Sequence, residues 1–257
     1  MSHAPSGIHF ERDGAIAIIT IDRPTARNAL DLAAAERLHE IAAELERDNT
    51  LKAAVLTGAG GTFCAGADLS EMATKGAVYR PWAGADGPLS NRPSKPMIAA
   101  VEGYAVAGGL GVALWADMRV ASATAVFGVF CRRFGVPMSD GTPTRLPRVV
   151  GEGIALDMLL TGRPVKSEEA LRIGLANRVV PAGEAFAEAV KLAHQIAEFP
   201  PLAVKADRQA ALEAFDQAEP VALVNEAEGA AAAKTQEAQT GAARFAAGTG
   251  RHGTQET

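Results

Sequence analysis

Only two cysteines, Cys64 and Cys131, occur among 257 residues, which excludes a disulfide framework and any Cys-x-x-Cys zinc spacing. Such usage suits a reducing compartment. Aromatics supply just 5% of the chain, so the core has to be close-packed from small aliphatic side chains, favouring helices and layered strands over an aromatic-rich sandwich. No basic run exceeds the pair Arg132-Arg133 and the formal charge is -5, which argues against nucleic acid or an anionic membrane as the main partner. Long apolar runs are missing too. The uncharged stretch Gly103 to Ala116 falls short of the ~18 residues of a spanning helix and holds four glycines. The first thirty residues carry no basic segment leading into an apolar one, so the expected location is cytoplasmic.

What is present, 48% hydrophobic residues over this length, is enough for a full core without a staple. Strand-like runs at Ile8–Arg12 and Ala15–Ile21 flank Asp13-Gly14, a tight-turn dipeptide, and predict an opening hairpin. Asp31 stands as N-cap to a helix over Leu32–Arg47, where Leu38, Ile41 and Leu45 recur at helical spacing. Ala53–Thr57, Met97–Val101 and Met118–Ser122 read as further strands, the first two each running into a glycine-containing bend. This alternation predicts an α/β fold with a partly parallel sheet. Beyond Gly151 the patterns are mostly helical: Ile154–Leu160, Glu168–Ile173, Ala185–Ala197, Leu202–Phe215 and Val221–Phe245. The last sixty residues, rich in Ala, make a weak core alone and are expected to pack on something else. Lys75–Ser94, with Gly and Pro and no period, reads as a mobile surface loop.

The search for chemistry removes several classes. His3, His9, His39, His194 and His252 show no ligand spacing, so no metal site is expected. No Gly-x-Ser-x-Gly elbow occurs. Gly58-Ala59-Gly60-Gly61-Thr62-Phe63 begins like a dinucleotide fingerprint but has Phe63 at its third glycine. Two small-residue junctions remain, TGAGGTFCAGADL (Thr57–Leu69) and VEGYAVAGGLGVAL (Val101–Leu114). Small residues there let a ligand approach main-chain N–H groups, which could serve a developing oxyanion. Either junction alone reads more readily as turn-making and close helix packing, and two together in one chain shift the balance modestly toward a ligand site.

Those junctions belong to a longer ordered series: ITIDRPTARNAL (Ile19–Leu30), AVLTGAGGTFCAGADL (Ala54–Leu69), KPMIAAVEGYAVAGGLGVAL (Lys95–Leu114), VFGVFCRRFGVP (Val126–Pro137), RLPRVVG (Arg145–Gly151) and LTGRPV (Leu160–Val165). Over almost its whole length the chain thereby resembles the enoyl-CoA hydratase/isomerase, or crotonase, superfamily. The resemblance implies an α/β spiral of ββα units over 1–198 that binds acyl-CoA, and a helical trimerisation region over 199–257. It further implies a homotrimer or hexamer, an acyl-CoA thioester as ligand, and no cofactor beyond the coenzyme A of the substrate. The N–H groups of Ala67 and Gly108 would hold the thioester carbonyl, with Ala65, Ala67, Asp68, Leu69 and Ser70 lining the CoA pocket. Arg27 would meet a CoA phosphate or be simply solvated.

Two positions depart from that pattern. Where family hydratases carry a glutamate after the second glycine cluster and another after Phe-Gly, this chain has Gly111 and Cys131. Neither supplies a carboxylate base. Asp140, in VPMSDGTP, is the candidate replacement, its alternative being an Asp-Gly turn residue. Cys131 is a nucleophile if Arg132 or Arg133 stabilises its thiolate, and otherwise a packed small residue. Capping a short helix is an alternative for Asp68; Glu71 and Glu102 take no assigned place. The readings that follow are an enoyl-CoA hydratase/isomerase-like enzyme, a decarboxylase, hydrolase or dehalogenase-like relative using Asp140, or an acyl-CoA binder without chemistry.

Overall fold

A computed structural model describes residues 6–75, 82–84 and 87–247. The chain divides into two compact units, 1–194 and 195–257. The first opens with the expected hairpin, β1 (Ile8–Asp13) and β2 (Ile16–Ile21), antiparallel with Ile8 opposite Ile21. Helix α1 (Leu32–Arg47) starts where Asp31 accepts the Ala34 N–H at 2.8 Å, and buries Leu38, Ile41 and Leu45. Strand β3 (Ala53–Gly58) is followed by the short helix α2 (Leu69–Lys75), then β4 (Met97–Val101) and β5 (Tyr104–Val106).

Helix α3 (Gly108–Trp115) and β6 (Met118–Ser122) lead to β7 (Val126–Gly128) and a 3-10 turn over Phe130–Phe134. Helices α4 (Thr142–Val150) and α5 (Glu152–Thr161), strand β8 (Val165–Lys166), helix α6 (Ser167–Arg172), β9 (Arg178–Val180) and α7 (Ala185–Glu198) complete the order. The main sheet runs β1-β2-β3-β4-β6-β9, parallel after the hairpin, while β5-β7-β8 form a small second sheet. Central strands covered on both faces read as unbroken apolar runs, as in Met97–Val101 where every residue is buried. The core is largely Ala, Val, Ile and Leu, with Trp115, Phe63 and Phe127 the largest of its fully buried side chains.

The second unit contains α8 (Pro201–Glu213), α9 (Glu219–Gly229), α10 (Ala231–Ala233) and α11 (Gln239–Ala246). The single helix expected over Val221–Phe245 is thus divided: it breaks after Gly229, and Lys234–Ala238 form a π-turn. That widened turn accompanies Glu237 as it accepts the Leu202 and Ala203 N–H groups at 3.0 and 2.9 Å, capping α8. Phe215, Val221, Leu223, Val224 and Phe245 of this unit are each more than half exposed. Of the surface loop expected over Lys75–Ser94, Lys75 instead ends α2 and Trp82 and Leu89 are buried in the core, because these large apolar side chains pack inward; residues 76–81 and 85–86 lie outside the described residues, as do His3 and His252.

Candidate active site

The two small-residue junctions meet in the first unit. Ala67 forms a parallel bridge with Leu30, in which Leu30 donates to Gly66 O (2.7 Å) and the Asp68 N–H donates to Leu30 O (2.9 Å). Because strand groups alternate sides, the N–H of Ala67 itself projects away from Leu30. The glycine bend after β3, which leads on to Ala67, is pinned by Asn28, a residue to which the motif reading assigned no function. Buried and at φ 57°, it accepts the Arg23 N–H at 2.8 Å and donates to the Ala59 and Thr62 carbonyls at 2.8 and 2.5 Å.

On the other side, Ala107 precedes α3 at φ 50° and ψ -130°, a conformation an alanine rarely adopts. Its own N–H donates to Gly128 O at 2.8 Å. That torsion turns the following peptide, so the Gly108 N–H sits free at a helix start. Gly66, at φ 98°, lies against it: a Cβ on residue 66 would stand 2.6 Å from Gly108 N. Among the described residues, neither the Ala67 nor the Gly108 N–H has a protein acceptor. Both residues line one cavity of about 650 Å³.

Ala65, Leu69, Cys131 and Asp140 line the same cavity, joined by the rings of Trp82 and Phe130. Trp82 packs on Gly108, where a Cβ would come within 2.5 Å of its ring. Arg27, Asp68 and Ser70 are not on the lining. Asp68 caps α2, accepting the Ser70 N–H at 3.0 Å, and lies 3.4 Å from Arg23. Arg27 is exposed in a left-handed turn, its carbonyl accepting the Ala65 N–H at 3.1 Å. Glu71 caps α1 at Leu32 (2.7 Å), and Glu102 accepts the Ala185 N–H at 3.0 Å.

Among the described residues, Asp140 is the one carboxylate on the lining. Only 4% exposed, it accepts the Thr142 N–H at 2.9 Å through Oδ1. A Cβ on Gly111 would lie 2.5 Å from its Cγ and 2.7 Å from Oδ2, so the missing side chain on α3 is the space this carboxylate fills. Burial pushes the Asp140 carboxyl above its ordinary value, against the Thr142 N–H and the Arg145 charge, which pull it down. Burial and the neighbouring Asp140 raise the Cys131 thiol, whose Sγ lies 3.1 Å from Met138 Sδ. Cys131 is therefore a protonated, packed thiol and not an activated nucleophile. Cys64, fully buried, is pushed up to about 12 by burial and donates no chemistry to the cavity.

Among the described residues no three His, Cys, Asp or Glu are grouped to hold a metal ion, and no helix is long and apolar enough to cross a membrane. Residues 11–249 match the family model described as enoyl-CoA hydratase/isomerase. The short-chain-enoyl-CoA hydratase of Clostridium acetobutylicum is 38% identical over 210 residues, 80% of each chain. The carnitinyl-CoA dehydratase of Proteus mirabilis is 40% identical over 204 residues, 77% of each. The crystal structure of an enoyl-CoA hydratase from Mycobacterium tuberculosis H37Rv superposes with a TM-score of 0.89 at 35% identity, covering 95% of this chain and 96% of the other.

Proposed function

Since the chain belongs to the enoyl-CoA hydratase/isomerase family and has the crotonase fold, we propose that it stabilises the enolate of an acyl-CoA thioester between the N–H groups of Ala67 and Gly108, with Asp140 moving the proton. The observation that carries this is the pair of N–H groups without a protein acceptor on two residues lining one cavity, whose described lining holds a single, buried carboxylate. As a thioester carbonyl becomes an enolate, its oxygen gains negative charge, and one preorganised donor is worth about 3 kcal/mol there. The donors need no reorganisation because Gly66 and Ala107 already hold their peptides in place.

One carboxylate among the described lining residues narrows the chemistry. The proton that Asp140 removes is the proton it has to return, or one taken from water that it then delivers. Double-bond migration fits the first, and addition or loss of water at the β-carbon fits the second. The relatives named above are two hydratases and a dehydratase, which favours the second. A metal or organic cofactor has no step to perform in this scheme; coenzyme A enters with the substrate. The helical region 199–257 would join three or six copies in the cytoplasm through its exposed apolar residues, and Arg27 would face the CoA phosphates.

The test is deuterium uptake at the α-carbon of butyryl-CoA in D₂O, with loss of the conjugated absorbance of crotonyl-CoA as its companion. Wild-type protein should catalyse the exchange and Asp140→Asn should slow it by at least about 10²-fold. Binding without exchange by the wild type contradicts the proposal and leaves an acyl-CoA binder. Absorbance loss identifies hydration; exchange without it identifies proton transfer alone.

A further inference from the structure

Arg145 stands outside the cavity lining, four residues into α4, yet its guanidinium touches both pieces that shape the site. Nη2 donates to the Leu89 and Ser90 carbonyls at 2.5 and 3.2 Å, and Nη1 lies 3.5 Å from the Asp140 carbonyl. Room for it comes from Gly141, at φ 88°, where a Cβ would meet Nη1 at 2.6 Å. The Leu89 side of the clamp continues to the cavity wall: Leu89 N–H donates to Trp82 O at 2.9 Å, and Ala83 N–H donates to Ser139 O at 2.7 Å. Trp82 in turn packs on Gly108.

We infer that Arg145 is a positioning residue, fixing the Asp140 turn and the Trp82 wall relative to each other so that the carboxylate faces the reacting carbon while the Gly108 amide faces the thioester oxygen. This rests on the reading of Asp140 given above. A long, half-buried cation that spends its donors on carbonyls from two segments has a structural cost, and Arg is favoured over Lys where several donors are needed in a fixed fork. Burial, with repulsion from Arg92 and Arg148, lowers Arg145 to about 10, and the Asp140 charge opposes that fall, so the two groups are electrostatically linked. The thiols of Cys131 and Cys64 also sense Asp140, and Arg92 and Arg148 face Arg145 from the same side.

The experiment measures butyryl-CoA α-exchange against pH for wild type, Arg145→Gln, Arg145→Lys and Asp140→Asn. Arg145→Gln should lower kcat at least about tenfold with KM within about threefold, as expected for a group acting on transition-state geometry. Its acid limb should move up by about half a pH unit or more, since a cation near Asp140 is gone. Arg145→Lys keeps the charge, so its limb should stay at the wild-type pH with part of kcat recovered. Wild-type kcat and limb in Arg145→Gln, or equal kcat losses with neither limb moved, overturn the inference. Should Arg145→Gln fail to fold, Arg145→Lys decides: lowered kcat with a fixed limb supports it and wild-type kcat overturns it. Full exchange by Asp140→Asn instead overturns the base assignment, and this inference with it.

Discussion

Gly111 and Asp140 form a matched pair, because the carboxylate occupies the volume that a side chain on residue 111 would claim. Gly111→Ala should therefore displace the carboxylate, destabilise by about 1–3 kcal/mol as an overpacked site does, and cut exchange sharply; thermal melts beside the exchange assay check this. Asp140→Asn should do the opposite to stability. Burial raises the folded carboxyl above its unfolded value, so the folded state binds the extra proton and this residue's contribution is lost as pH climbs from about 4 through the folded value. The variant should melt higher than wild type at pH 7, and the gap should close as pH falls toward 4. A wild-type melting point that holds its lead at pH 7 contradicts that sign. From the sequence, the absence of both family glutamates was visible and Asp140 was a candidate. What no local pattern encodes is the contact between Gly111 and Asp140, which only the folding of α4 against α3 creates.

Among the elements, the long regular ones were legible. The hairpin, the α1 cap and the three apolar strands have strong periods or clear turn chemistry, and the structure reproduces them. Strands β5, β7, β8 and β9 escaped because two or three residues carry no period. Helix α4 escaped because Pro143 and Pro147 mask it, although Pro143 sits in the first turn, where a missing N–H costs nothing. Asn28 was missed for another reason. Its side chain substitutes for secondary structure, bridging the α1 approach to the glycine bend after β3, and such bridges follow no spacing. Asn28→Ala leaves the Ala59 and Thr62 carbonyls and the Arg23 N–H without this partner; at about 1–3 kcal/mol for a group left unsatisfied, it should unfold the protein at clearly lower denaturant. An unchanged midpoint contradicts the pinning role.

For the whole molecule, family and fold came from the order of motifs, while the broken C-terminal helix depended on Glu237, whose partners lie on α8. The exposed apolar residues of the second unit exceed what scattered surface positions require and suit burial by other copies. Sedimentation equilibrium should thus give three or six times 26.6 kDa; a monomer at micromolar concentration contradicts the proposed assembly. Most direct of all is the infrared carbonyl stretch of ¹³C-labelled crotonyl-CoA bound to Asp140→Asn, which holds the ligand without turning it over. Two N–H donors on one oxygen should lower that frequency well below the value in free solution, and a bound carbonyl that absorbs where the free one does would contradict the central claim.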